Sequence, residues 1–335
     1  MATAARPLAA ARNRRVLLVV ALAALVAAAA VVGVTVLQTR GQTTTVRGAV
    51  TNPRAGRPPL ELEFGVDAST EARALARAQT LYNGKHVAQA AAIFGRYHSL
   101  EAQIGSAFAA WNEGGLAAVR RLAAAHRGSG VMLLHLGLAD YWAGRNADAV
   151  AAWRQVASRF RDSPYGVAAE DALHGGPPGL PAIVIDLDLP KAIRNLPAAA
   201  QLAALKRAAA KPDAQAKLLY GVTLWNYLHM PISAERELAA AAKLAPRDAA
   251  VRAAAAVALF SKANPRRAFA HLGPLTAAFP HSAAIEFHLG ELLVYIGEYG
   301  KAATHLRGAV AEAPRSPYAK PARTLLASLA RTRSK

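Results

Sequence analysis

Ten histidines, one pair of aspartates and one glycine cluster are the residues of this 335-residue chain with types suited to chemistry. The histidines are scattered, and neither H-E-x-x-H nor H-x-x-x-H occurs. His281 and His288 are seven residues apart and could share a helix face, but no third ligand stands beside them, so surface or packing roles are expected. Asp186 and Asp188 form a D-x-D that could hold a cation, yet no His or further carboxylate clusters nearby, and the pair reads as loop. Gly175-Gly176-Pro177-Pro178-Gly179 lacks a following Lys-Ser/Thr, which makes it a helix breaker rather than a phosphate cradle. There is no G-x-S-x-G and no G-x-G-x-x-G. With no cysteine, disulfides, thiolate nucleophiles and zinc–thiolate sites are excluded. The expectation is a protein that is not an enzyme, with no catalytic residue, cofactor or metal site.

The elements that carry these residues read as helices. Alanine dominates, aromatics make up 6% and charged residues 18%, a composition suited to closely packed helices. Gln215–Ser316 repeats at 34 residues. Ala234, Ala268 and Ala302 recur at that interval, as do Leu238, Leu272 and Leu306, and Pro246, Pro280 and Pro314. A period of this length marks stacked helix pairs that bury their apolar faces on one another.

The spacing resembles the tetratricopeptide repeat (TPR), and with the uncharged run and the composition described below the chain is similar to membrane-anchored TPR proteins of bacterial type. That motif places Leu-Gly on the first helix, a turn Gly, then Ala, a large apolar residue, a small one, and a final Pro. In the last copy these are Leu289, Gly290, Gly297, Ala302, Leu306, Ala309 and Pro314. In the Val131–Phe160 copy they are Leu136, Gly137, Gly144, Ala149, Trp153 and Val156. Ser163-Pro164-Tyr165 after that copy recurs as Ser316-Pro317-Tyr318. The resemblance implies a superhelix whose concave groove binds protein or peptide partners. It also implies, in one subtype, a Lys/Asn/Arg clamp for a terminal carboxylate. The positions here (Leu219, Tyr220, Thr223; Ala253, Ala254, Val257; Phe287, His288, Glu291) supply no such clamp. The candidate groove is Tyr141, Trp142, Tyr227, Phe260, Phe287, Glu291 and Tyr295, with core packing as the competing role for the aromatics.

Two runs have the period of strands: Leu60-Glu61-Leu62-Glu63-Phe64 and Ala182–Leu187. Pairing of the two is the expectation. Val16–Leu37 is 22 residues without charge, about 33 Å as a helix and long enough to cross a bilayer. Arg6, Arg12, Arg14 and Arg15 precede it, which puts the N-terminus in the cytoplasm and the array outside. A signal peptide cleaved near Ala28-Ala29-Ala30 is the competing reading. The net charge is +19, with eight arginines and no acid in the first 60 residues. No nucleic-acid motif accompanies it, so no nucleic-acid partner is expected.

The expected fold is all-α, a TPR-like helical-hairpin solenoid following one N-terminal transmembrane helix. Its parts are a cytoplasmic tail (1–15), the span (16–37), an extended linker (38–68), degenerate repeats (69–174), a Gly/Pro-rich break (175–195) and the array (196–335). The Ala/Arg-rich composition points to a GC-rich bacterium. The expected function is a membrane-tethered interaction scaffold of the cell envelope. The alternatives are an envelope assembly factor or chaperone of the translocon-accessory or cytochrome c maturation type, or the regulatory part of an envelope enzyme.

Overall fold

The computed structural model describes residues 53–333. The tail, the expected span and residues 38–52 of the linker lie outside these residues. Among the described residues no helix is long and apolar enough to cross a membrane.

The described chain is all-α, with no strand among its residues. Helices α1 (Thr70–Asn83) and α2 (Val87–Phe94) form the first hairpin. Helices α3 (Leu100–Ala109) and α4 (Gly115–Ala125) form the second, and α5 (Gly130–Trp142) with α6 (Asn146–Arg159) the third. Helix α7 (Pro164–His174) closes this half. Two short helices, α8 (Lys191–Arg194) and α9 (Ala198–Ala209), lead into the second. There α10 (Ala214–Asn226) pairs with α11 (Pro231–Leu244), and α12 (Ala249–Val257) with α13 (Arg266–Leu272) and α14 (Leu275–Ala278). Helices α15 (Ala283–Tyr295) and α16 (Tyr299–Glu312) form the last hairpin, and α17 (Ala319–Arg333) follows.

The chain writes its own helix starts. Ser69, Ser99, Ser129 and Ser163 each accept a main-chain N–H three residues on, and Asp213 and Asp248 cap α10 and α12 in the same way. Such caps satisfy donors that have no partner inside the helix. The α13–α14 break falls at Gly273-Pro274, because proline lacks the N–H and its ring clashes with the preceding turn.

Packing explains the 34-residue interval. Ala234, Ala268, Ala302 and Leu238, Leu272, Leu306 are all wholly buried. A Cβ on Gly221 would stand 2.6 Å from Leu238 Cγ, and one on Gly290 would stand 2.8 Å from Leu306 Cγ. A Cβ on Gly137 would collide with the Trp153 indole. These glycines let the two helices of a hairpin approach until the large residue fills the contact.

The core is in two parts. One runs from Leu60 to Ala169, the other from Ile183 to Leu329. At their junction the Asp162 carboxylate accepts from the Ile232 and Ser233 N–H groups, both at 3.0 Å, and from Ser233 Oγ at 2.6 Å. It thus caps the first turn of α11 from the other half. Asp162→Ala is expected to destabilise the second half by about 1–2 kcal/mol, the usual worth of a cap, as read by urea denaturation.

The two alternating runs do not pair with each other. Each is an extended arm bonded to side chains of its own half. The helices flanking each arm supply the donors and acceptors that a neighbouring strand would otherwise have offered.

Candidate functional site

Each half is one module: an extended arm laid against the helices that follow it. Arm 1 is Pro58-Pro59-Leu60-Glu61-Leu62-Glu63, and arm 2 is Pro181-Ala182-Ile183-Val184-Ile185-Asp186. Two residues before each arm's first proline stands a glycine of positive φ, Gly56 at 81° and Gly179 at 74°, where a side chain would be strained.

The same chemistry reads both arms. Tyr82, near the end of α1, donates its hydroxyl to the Pro58 carbonyl at 2.8 Å. Trp225, in the same place on α10, donates its indole N–H to the Pro181 carbonyl at 2.6 Å. Asn83 then grips Leu60 twice: its Oδ1 accepts the Leu60 N–H at 3.1 Å and its Nδ2 donates to the Leu60 carbonyl at 2.9 Å. Asn226 grips Ile183 identically, at 3.0 and 2.8 Å. Next, the Glu61 N–H donates to His135 Nε2 at 3.1 Å, and the Val184 N–H to His288 Nε2 at 3.1 Å. Finally the Tyr165 hydroxyl donates to the Glu63 carbonyl at 3.3 Å. Its counterpart Tyr318 faces the Asp186 main chain without closing a hydrogen bond of ordinary geometry.

The histidines must be neutral for this to work. Each ring donates Nδ1–H to a carbonyl one helical turn back, His135 to Val131 and His288 to Ala284, both at 2.7 Å. That fixes the tautomer and leaves Nε2 as the acceptor that the arm amide needs. Burial holds both rings neutral, pushing each pKa down to about 4 against the raising effect of the carbonyl bond.

The modules differ where the arms differ. Pro59 has no N–H, and the buried Leu138 holds the position in the first module that corresponds to Glu291. Ala182 has an N–H, and Glu291, 153 residues after Leu138, accepts it through Oε1 at 2.9 Å. Burial raises the Glu291 carboxyl to about 8. Because the folded value lies above the ordinary 4.5, this group's stabilisation is full below pH 4.5 and is lost as the pH rises through about 8. Glu291→Gln keeps the acceptor and cannot ionise. It is expected to match wild type near pH 4.5 and exceed it by roughly 3 kcal/mol at pH 7, measured by denaturant titration at the two pH values.

The structure distributes the sequence-derived groove residues unevenly. Tyr295 donates to the Pro178 and Leu180 carbonyls at 3.3 and 2.8 Å, so it holds arm 2 beside Glu291. Phe260 is buried edge-on against Tyr295. Tyr141 and Trp142 stand at the entry of arm 1, with the Arg54 guanidinium 3.4 Å over the Tyr141 ring. Phe287 is core, packed on His288 and Tyr318. Tyr227 is two-thirds exposed, at 66%, and touches neither arm by any ring contact or hydrogen bond described. Asp188 pairs with Arg194 at 3.3 Å, and His281 with Glu312 at 2.9 Å, so neither sits with the other residues singled out for metal binding. Tyr82, Asn83, His135, Trp225 and Asn226 carry no distinguishing mark in the sequence, and Tyr165 stands out only as part of the recurring Ser-Pro-Tyr triplet. One signal was present: His135 and His288 are 153 residues apart, the same interval as the two Ser-Pro-Tyr triplets.

Fold and site together define a doubled helical-hairpin module with its own extended segment held in each half. No protein-family model and no curated protein matches the chain. Among solved structures it is similar to yeast Tom70, at 12% identity over 79% of this chain and 66% of that one, with a TM-score of 0.35. It is similar also to the TPR2AB domain of yeast Sti1 in its complex with pHSP90 (14% identity, 79% and 100% covered, TM-score 0.30). A third is the C-terminal part of a TPR repeat-containing protein from Cytophaga hutchinsonii (14% identity, 75% and 99% covered, TM-score 0.27). At these TM-scores the likeness carries no weight, and the assignment of helical hairpins rests on the packing described above.

Proposed function

We propose that the chain is a non-enzymatic, membrane-tethered interaction scaffold of the cell envelope that holds extended partner segments. The observation that supports this reading is the doubled clamp. Its hydrogen bonds run to main-chain atoms, so it selects an extended backbone rather than a particular sequence. Arms as different as PPLELE and PAIVID are held alike. A partner segment with proline first and apolar residues at alternate positions meets the same requirements and competes with an arm for its groove. The tether is carried by the uncharged run 16–37 and the arginines before it. Tethering raises the effective concentration of a partner already at the membrane.

Two arms test this. A reporter fused after Lys335 should read as extracytoplasmic, and a cytoplasmic signal would overturn the topology. A photo-crosslinker at Ala182, on the exposed side of arm 2, should yield protein adducts in intact membranes that a PAIVID peptide suppresses. Absence of such adducts would remove the scaffold role. Enrichment of nascent secreted chains or apocytochromes among them would make the scaffold an assembly factor.

A further inference from the structure

The two modules differ at the point where the arm enters. In the first, Arg54 stands four residues before Pro58. Its main-chain N–H donates to the Trp142 carbonyl at 2.8 Å, and its Nη1 donates to the Tyr141 carbonyl at 3.0 Å. Its guanidinium also stacks on the Tyr141 ring, 3.4 Å from the centroid. Tyr141 and Trp142 end α5. The last carbonyls of a helix lack partners within it and form the negative end of its dipole, so an arginine there is favoured on both counts.

In the second module the same register puts Pro177 four residues before Pro181, and it puts Val294 and Tyr295 at the end of α15. Proline has no N–H and no charge, so neither of the donors that Arg54 supplies is present in Pro177. A cavity of about 270 Å³ lies at this point, lined among others by Pro177, Val294, Tyr295 and Gly297, with Lys262 and Tyr299 on its wall. Lys262 is not the substitute for Arg54. Its Nζ is held by the Pro177 carbonyl and by the Asp171 carboxylate, each at 2.5 Å. With Asp171 offsetting that charge, the C-terminal end of the α15 dipole faces the cavity, and Tyr295 and Tyr299 line it together with Val294, which stands where Tyr141 stands in the first module.

We propose that this cavity binds a guanidinium group: an arginine side chain of a partner segment, filling in trans the place that Arg54 fills in cis. The inference stands on the comparison of the two modules and does not depend on the scaffold reading or on the topology. It is tested with the full-length chain in mild detergent, titrated with N-acetyl-arginine amide and, separately, N-acetyl-leucine amide. The arginine probe is expected to bind saturably and at least tenfold more tightly than the leucine probe. Pro177→Arg, which supplies the group in cis, should weaken that binding at least tenfold while raising the melting temperature. Should that variant fail to fold, a photoreactive arginine amide on the wild-type chain gives the answer, with labelling expected within 174–177 or 294–299. Equal affinity for the two probes, undiminished binding by folded Pro177→Arg, or labelling elsewhere would each overturn the proposal.

Discussion

Trp225→Ala is expected to destabilise the second module by about 4–5 kcal/mol, the largest effect of any single change to the clamps. Trp225 is wholly buried and its indole N–H holds the Pro181 carbonyl. Truncating a buried aromatic residue to alanine costs about 3–5 kcal/mol through lost burial and the cavity left behind. Orphaning a buried carbonyl adds about 1–3 kcal/mol, only part of which adds fully because the site can relax. The first module offers the control. Tyr82→Phe removes only the hydroxyl, which is shared between the Pro58 carbonyl at 2.8 Å and the Phe108 carbonyl at 3.4 Å, and should cost about 1–2 kcal/mol. Guanidinium denaturation of both variants gives the comparison. Equal losses in the two would mean that Trp225 is held by its hydrogen bond alone.

The second large effect concerns the histidines. Both have folded pKa values near 4, below the ordinary 6.5, because burial disfavours the charged ring. The unfolded chain therefore binds more protons between these limits. The histidine contribution is full above pH 6.5 and is lost as the pH falls towards 4. Two and a half pH units correspond to roughly 3 kcal/mol for each ring. Protonation also puts an N–H on Nε2, facing the arm N–H that it must accept. The double variant His135→Gln/His288→Gln cannot charge. It should be less stable than wild type at pH 7, where the clamps fit best, and more stable at pH 4. The carboxyls of half-buried Glu61 and buried Glu291, raised by desolvation to about 7 and about 8, act in the opposite sense but are common to both proteins. The difference between the two denaturation curves therefore isolates the histidines. A difference independent of pH would show that the rings are not neutral acceptors.

The helical stack was legible because its signal is a fixed interval of small and large residues. Ala234, Ala268 and Ala302 must be small where helices meet, and Leu238, Leu272 and Leu306 must fill the adjoining space. The arms were legible as extended but not as groove-bound. Leu60 and Leu62 point into the core and alternate with acids, and that period is the same whether the partner is a strand or a row of helix side chains. The clamps were not legible at all. An Asn at the end of one helix and a His in the middle of another are ordinary residues until the fold aligns them with one backbone. The duplication was half visible. Histidines and Ser-Pro-Tyr triplets are 153 residues apart, but the arms are 123 apart and the clamping asparagines 143. Helices α8 and α9, inserted between arm 2 and its first hairpin, account for the changed interval on that side. Residues 16–37 lie outside the described chain, so the tether remains a reading of the sequence.

The central claim is that each module holds its own extended segment as a bound ligand. The amides of Leu60, Glu61, Leu62, Ala182, Ile183 and Val184 donate to helix side chains although none lies in a helix or strand. Residue-resolved hydrogen exchange measures this directly. The account predicts that these amides are protected to the level of the core helices α5 and α15 and open with them. Exchange at the rate of an exposed loop would contradict it.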